Sequence, residues 1–308
     1  MAEIVHIDMS RPGELFAGSS CVFGVFDGFH VGHQLMVKEA LATRTGGGRV
    51  LAITFDIDPD EVFAKGRLKK LLTNERRIEA LASSGVDAVA VLPFSREFAA
   101  LLPDDFLDAV FGQGAPAVIH VGVDFGFGRF GAGHVPELSA WAESHGMQVV
   151  GHELFRMDGE PITATRVRRL LATGDVHEAS RLLGRPYEMS GVVAHGRGAG
   201  AAFGIPTANL EVTPQLLCVG DGVYGCRCVI DGATYNAAVC IGIPPTFEGV
   251  ARQQVEAHVM DFDGDLYGRE LTLEFVQFIR PNRVFSGTEE LISTLQDNIA
   301  TIRETQPL

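Results

Sequence analysis

The chain has 308 residues, 46% of them hydrophobic, with 39 acidic against 25 basic side chains and a formal charge of −14 at pH 7. That length suffices for two domains with separate cores, and no apolar run reaches the roughly 18 residues that a membrane-spanning helix needs. An acidic surface repels phosphate backbones, which argues against nucleic-acid binding, while small phosphorylated ligands stay open because a helix N-terminus and a few arginines act locally.

The first eleven residues lack the basic-then-apolar order of a secretory signal, so the expected location is the cytoplasm, with no membrane partner. Of the five cysteines, Cys21, Cys218, Cys226, Cys228 and Cys240, none forms a CxxC pair. Cys226 and Cys228 share one face of an apolar strand pattern; they read as small core residues rather than as a metal or redox pair.

Short apolar runs at 21–26, 50–55, 88–92, 117–122 and 147–151 predict buried strands, and the stretches 31–43, 74–84, 103–111 and 136–145 predict helices between them. This alternation implies an α/β fold, a doubly wound parallel sheet that binds ligands at the carboxyl ends of its strands. Two more helices, 165–172 and 176–183, end at Gly184-Arg185-Pro186, where glycine stops a helix and proline cannot continue it. Beyond residue 187 the texture changes. Alternating segments at 187–194, 222–230, 237–241, 254–262 and 270–278, parted by Gly, Pro and Asp turns, predict a small antiparallel barrel closed by an amphipathic helix over 287–304. The predicted domains are 1–185 and 186–308.

The segment Gly24-Val25-Phe26-Asp27-Gly28-Phe29-His30-Val31-Gly32-His33 leaves the first of these strands and enters a helix. His30 and His33, three apart at a helix start, share one face. Gly28 and Gly32 allow close backbone approach to a ligand, and the helix N-terminus favours negative charge. Two imidazoles there can stabilise charge on a transferring phosphoryl group. A lone histidine at a helix start is more often a cap or a core residue; the whole pattern argues for a site.

This segment resembles the nucleotidyltransferase superfamily with the HxGH signature, and in its longer form GxFDGxHxGH it resembles the FAD synthetase branch. Two later stretches are similar to that branch's VGxDFxFG and ISSTRIR segments: Val121-Gly122-Val123-Asp124-Phe125-Gly126-Phe127-Gly128 and Ile162-Thr163-Ala164-Thr165-Arg166-Val167-Arg168. The resemblance implies a Rossmann-like domain in which His30 and His33 contact the ATP phosphates and Gly24, Phe26, Asp27 and Gly28 line the nucleotide. It implies that Thr165 and Arg168 hold the pyrophosphate end, with Arg168 in a catalytic role, and that Asp124 and Phe125 face the flavin. The implied reaction is in-line attack of the FMN phosphate on the α-phosphorus of ATP, with Mg²⁺ accompanying the nucleotide; it needs positioning and charge neutralisation rather than a protein nucleophile. Gly126-Phe127-Gly128-Arg129-Phe130-Gly131 also matches the dinucleotide pattern GxGxxG, but it follows the fourth predicted strand and opens no helix, so that reading ranks well below.

In the second half, Gly196, Gly200 and Gly204 punctuate a loop of small residues that runs into Ile205-Pro206-Thr207-Ala208-Asn209. Such a loop lets backbone N–H groups converge on phosphate oxygens. The PTAN stretch resembles riboflavin kinase, whose small barrel carries GxxxGxxxGxPTAN. The resemblance implies that Thr207 and Asn209 coordinate the nucleotide's Mg²⁺, that Gly196, Gly200, Gly204 and Thr207 line the nucleotide, and that Arg280 lies on the flavin side. Glu256 takes the place of the general base that accepts a proton from the ribityl 5′-hydroxyl as it attacks the γ-phosphate. Pro245-Thr246-Phe247 is a further family-like landmark.

The chain departs from these patterns at Gly126, Ala164, Ala199 and Ala201, and Arg197 stands where an acid is usual. The expected function is therefore ATP-dependent conversion of riboflavin to FMN and of FMN to FAD. The alternatives are a paralogue with one active module or an altered substrate, and a non-catalytic flavin- or nucleotide-binding regulator.

Overall fold

The structure, a computed structural model, describes residues 1–9, 15–44, 47–63, 68–112, 114–195, 204–242 and 253–307. The chain divides into two compact units, Met1–Ala164 and Thr165–Leu308.

The first unit runs β1 (Glu3–His6), β2 (Ser20–Phe23), α1 (Val31–Ala42), β3 (Val50–Phe55), α2 (Pro59–Phe63), α3 (Asn74–Ala82), β4 (Ala88–Leu92), α4 (Pro103–Phe111), β5 (Val118–Gly122), α5 (Val135–Ser144), β6 (Gln148–His152), and the two-residue strands β7 (Arg156–Met157) and β8 (Glu160–Pro161). Six strands form one sheet in the order β1-β4-β3-β2-β5-β6, and every pairing in it is parallel. All six residues of β3 are buried, as both faces of a central parallel strand are covered by helices. Against one face, Met36, Val37 and Ala40 of α1 and Leu81 and Ala82 of α3 pack on Val22, Ala52 and Val89. Against the other, Phe106, Leu107, Val110 and Phe111 of α4 and Leu138 and Trp141 of α5 pack on Phe23, Leu51 and Ile119.

Local signals set the helix starts. Thr73 caps α3, its side chain accepting from the Arg76 N–H at 3.3 Å, and Pro103 supplies the fixed φ of a first helical turn in α4. The chain order in the sheet reverses between β2 and β5, and in such sheets ligands bind beyond the carboxyl ends of the strands at this switch point. The segment after β2 and the segment after β5, which carry the first motif and Asp124, both emerge there.

The second unit begins with α6 (Ala164–Ala172) and α7 (Val176–Leu183), the latter capped by Asp175 and ended by Gly184 at φ +72°. Then come β9 (Tyr187–Ala194), β10 (Ala208–Val212), β11 (Gly222–Ile230), β12 (Ala233–Gly242), β13 (Gln254–Val259), β14 (Glu270–Arg280) and α8 (Thr288–Thr305). The strands close into a barrel in the order β10-β13-β12-β11-β14-β9, and every pairing is antiparallel. Tyr187, Met189, Tyr224, Cys226, Val239, Ala257 and Phe275 fill its interior. Cys226 and Cys228 are free and buried, with burial pushing the Cys228 thiol up to about 11 and the Cys226 thiol well above its usual value; they are core residues.

Two strands end earlier than the sequence expectation. The strand expected over 21–26 ends at Phe23, because Phe26 turns left-handed at φ +61°. The strand expected over 254–262 ends at Val259, where Asp261 turns the chain at φ +59°. The edge strand β1 and the short β10 have no predicted counterpart.

Candidate active sites

His30 ends the loop after β2 as the cap of α1: its Nδ1 accepts from the His33 N–H at 3.4 Å. A nitrogen that accepts carries no proton, so in the neutral ring the proton of His30 sits on Nε2. The two imidazoles stack, 3.7 Å between centroids and 16° between planes, and the Phe26 ring meets His33 edge-on at 5.2 Å. Glycine at 32 leaves room for this stack, since a Cβ there would come 3.2 Å from the His30 ring and press it by a few tenths of an ångström. Burial, and secondarily the neighbouring His30, hold the His33 pKa well below the usual histidine value. His33 is therefore neutral at pH 7, and its buried Nδ1 has no hydrogen-bond partner among the described residues.

The loop is held in a costly shape. Phe26 and Phe29 both have positive φ, +61° and +40°, on either side of Gly28 at +71°. The Asp27 carboxylate, buried, accepts from the Leu71 N–H at 3.1 Å and the Leu72 N–H at 3.4 Å, tying the loop to the segment before α3. Gly24 donates to Ile53 O at 3.2 Å.

Across the switch point, Asp124 is exposed and Phe125 half-buried after β5. Gly122 lets Asp124 fold back, because a Cβ on Gly122 would lie 2.7 Å from Asp124 Oδ1. Phe125 packs on Phe23 at 5.1 Å, and rings continue from Phe23 to Phe55, Phe94 and Phe63 at 5.8, 5.1 and 6.1 Å. Phe63, 57% exposed, ends this aromatic wall. The GxGxxG stretch opens no α-helix, only a short 3-10 turn at Arg129–Gly131: Phe127 and Gly133 exchange backbone hydrogen bonds of 2.9 Å, and α5 starts at Val135.

In the barrel, strand register sets the second constellation. Asn209 of β10 is paired with Glu256 of β13, Glu256 with Cys240 of β12, Cys240 with Val223 of β11, and Val223 with Arg280 of β14. Paired residues on neighbouring strands project to the same side. Val255, Ala257 and Val259 are buried in the barrel, so Glu256 and its row lie on the outer face. Irregularities of β14 against β11, between Val223 and Tyr224 and between Gly225 and Cys226, bring Arg280 onto this row. Arg280 Nε donates to Asn298 Oδ1 of α8 at 3.2 Å, and Arg280 and Arg283 flank the Phe285 ring at 5.6 and 5.1 Å. Asn282 Nδ2 donates to Ile241 O at 2.7 Å, and the Cys240 thiol lies 3.7 Å from Asn282 Oδ1. Burial, then the Glu256 charge, push the Cys240 thiol up.

Residues 14–166 match the FAD synthetase family and residues 183–306 match the riboflavin kinase family. The chain is 33% identical over 276 residues to the bifunctional riboflavin kinase/FMN adenylyltransferase of Listeria monocytogenes serovar 1/2a, covering 89% of this chain and 88% of that protein. It is 33% identical over 291 residues to the protein of the same name from Escherichia coli K12, covering 93% and 92%. The chain belongs to the bifunctional riboflavin kinase/FMN adenylyltransferase family.

The family is one of enzymes, and the chain is a bifunctional transferase with both catalytic modules. A solved structure from Streptococcus pneumoniae described as a macrolide-efflux protein is also similar, at 27% identity with a TM-score of 0.86 over 97% of this chain and 98% of that one. Among the described residues no helix is long and apolar enough to cross a membrane.

Of the residues expected at the two modules, the structure brings His30 and His33 together, with Phe26, Asp27 and Gly28 in the loop that leads to them. Asn209, Glu256 and Arg280 fall on one cross-strand row. Thr207 directly precedes β10, and Gly204 lies three residues earlier at φ +72°. Thr165, exposed, and Arg168, half-buried, lie in the first turns of α6. Gly196, Gly200, Arg197, Ala199, Ala201 and Pro245-Thr246-Phe247 lie outside the described residues. Sequence reasoning missed Cys240, Asn282 and Asn298 beside the row and the aromatic wall. Phe23 and Phe55, each the last residue of its strand, were an available signal for part of this ring cluster.

Proposed function

We propose that the HxGH loop at the switch point carries the adenylylation of FMN and that the outer row of the barrel carries the phosphorylation of riboflavin. By function the first module is 1–185 and the second 186–308. The stacked imidazoles at the entrance of α1 are the observation that supports the first assignment. His30 offers Nε2–H and His33 is a neutral donor, so both can hydrogen-bond phosphoryl oxygens while the helix N-terminus adds positive potential. Gly24, Phe26, Asp27 and Gly28 shape the backbone around the nucleotide. Asp124, exposed, and Phe125, half-buried, are the groups assigned to the flavin ring. The FMN phosphate oxygen attacks the α-phosphorus of ATP and pyrophosphate leaves; Thr165 and Arg168 are assigned to the pyrophosphate end on their sequence motif alone.

In the barrel, the pairing of Asn209 with Glu256 supports the second assignment. Glu256 takes the proton of the ribityl 5′-hydroxyl as its oxygen attacks the γ-phosphorus, and ADP leaves. Thr207 and Asn209 offer the hard oxygen donors that suit Mg²⁺. Among the described residues no group of three or more His, Cys, Asp or Glu could hold a metal ion. Mg²⁺ neutralises charge on the phosphates when bound; Gly196, Gly200 and Gly204 are assigned to the phosphates, and Arg280 to the flavin side. The substrates are ATP, riboflavin and FMN.

The test is a double dissociation on the full chain with riboflavin, ATP and Mg²⁺, resolving FMN and FAD by chromatography. His30→Ala is expected to stop FAD formation and spare FMN formation, and Asn209→Ala to stop FMN formation from riboflavin while FMN supplied directly is still adenylylated. Loss of both activities in either folded variant overturns the two-site assignment.

A further inference from the structure

Arg77 of α3 is 1% exposed and heads the large fully buried side chains among the described residues. Nothing in the motifs accounts for a guanidinium in that place. Burial lowers its pKa, while the carboxylates of Asp58, Asp27, Glu61 and Asp56 act in the opposite sense, and an arginine stays charged throughout. A buried cation is kept only where its donors are used.

Its donors are used on the strand exits that frame the first site. Nη1 donates to Val25 O at 2.9 Å and to Thr54 Oγ1, and Nη2 donates to Phe55 O at 2.8 Å and Asn74 Oδ1 at 3.1 Å. Thr54, fully buried at the end of β3, has its own hydroxyl 3.3 Å from Val25 O. The Val25 carbonyl belongs to the peptide that leads into Phe26, the first left-handed residue of the loop. Two buried side chains thus grip one peptide plane, and the Asp27 carboxylate grips the next stretch from the other side through Leu71 and Leu72. Strained backbone persists only where its surroundings over-determine it. Four residues after that peptide stands His30.

We infer that Arg77 is a positioning residue for adenylyl transfer: by fixing the Val25–Phe26 peptide against β3 it holds the strained loop, and through it sets where His30 and His33 meet the nucleotide. Arg77 acts through the loop and touches no reacting atom. The inference rests on the assignment of His30 and His33 made above.

The experiment compares Arg77→Met, Arg77→Lys and Thr54→Val with wild type and His30→Ala, all as full chains. It measures kcat and KM for ATP and FMN in FAD formation, and riboflavin phosphorylation on the same preparations. Arg77→Met is expected to lower kcat for FAD formation at least tenfold with KM for ATP within threefold, and riboflavin phosphorylation within twofold of wild type. Arg77→Lys, which keeps a donor for Val25 O but loses the fork, is expected to recover part of that loss. Thr54→Val, which keeps the guanidinium, is expected to lower kcat about threefold; should Arg77→Met fail to fold, this variant and Arg77→Lys decide. Wild-type kcat in Arg77→Met, or in Arg77→Lys and Thr54→Val together, overturns the inference, as does an equal loss of both activities in folded protein. Retention of FAD synthesis by His30→Ala removes the site assignment itself. A dead His30→Ala beside unaffected Arg77 variants removes the inference alone.

Discussion

His120 of β5 and His152 of β6 make a buried pair, 2% and 7% exposed, with His120 Nδ1 2.9 Å from His152 Nε2 and His152 Nδ1 3.1 Å from Glu39 Oε2 of α1. With Glu39 ionised, His152 donates from Nδ1, which makes its Nε2 an acceptor for the His120 Nδ1–H. His120 Nε2 is then an acceptor buried without a partner among the described residues. Burial, and secondarily His152, push the His120 pKa down to about 4 from 6.5. The folded state therefore resists a proton that the unfolded chain accepts, so this group leaves stability untouched above pH 6.5, removes it progressively as pH falls, and removes no more below about 4. From those values the loss is about 2 kcal/mol at pH 5 and about 3 kcal/mol below pH 4. For a unit of this size about 2 kcal/mol corresponds to roughly 4–8 °C in Tm.

His120→Gln keeps an N–H for His152 but does not titrate. Its Tm is expected to fall between pH 7.5 and pH 5 by roughly 4–8 °C less than that of wild type. Trp141, the one tryptophan of the chain, lies in the same unit, so its fluorescence reports this transition. His33 and His152 are shifted in the same direction and remain in both proteins. Equal acid losses in the two proteins would refute the reasoning.

Three further outcomes are expected. Gly122→Ala places a methyl group 2.7 Å from Asp124 Oδ1, and FAD formation should fall about 10- to 100-fold as the aspartate is displaced, with riboflavin phosphorylation unchanged in the same assay. Glu256→Gln should lower riboflavin phosphorylation by about 10²-fold or more while FMN added directly is still converted to FAD. Phe106, which packs on Phe98 at 4.9 Å and Phe127 at 5.6 Å, should cost about 3–5 kcal/mol when replaced by alanine, read from the urea midpoint of Trp141 fluorescence.

The first site was readable where its chemistry is local. His30, Gly32 and His33 lie within one helical turn, and the glycine's function is a contact inside that turn. The motif pointed to Asp124 as a candidate, and the alternation of apolar runs pointed to the parallel sheet that the structure has. What stayed hidden depends on pairing between distant segments. Arg77 reaches a carbonyl 52 residues away, and a helical arginine reads as a solvated charge until the helix is placed. In the barrel, Asn209 and Glu256 were each visible by motif, but their adjacency to Cys240 is a matter of register that no local spacing encodes. The strand β10 escaped because its five residues begin inside the PTAN stretch.

The irregular edge of β14 bears on how the outer row can change over time. Tyr224 faces Phe278, so an unbroken ladder would set Ile279 opposite Val223, and the extra residue gives that place to Arg280. A guanidinium at the end of the row is thus specified by strand length as much as by amino-acid choice. Deleting Ile279 would remove the extra residue and let an unbroken ladder set the same guanidinium opposite Val223, so the bulge and the arginine are separable by a single deletion.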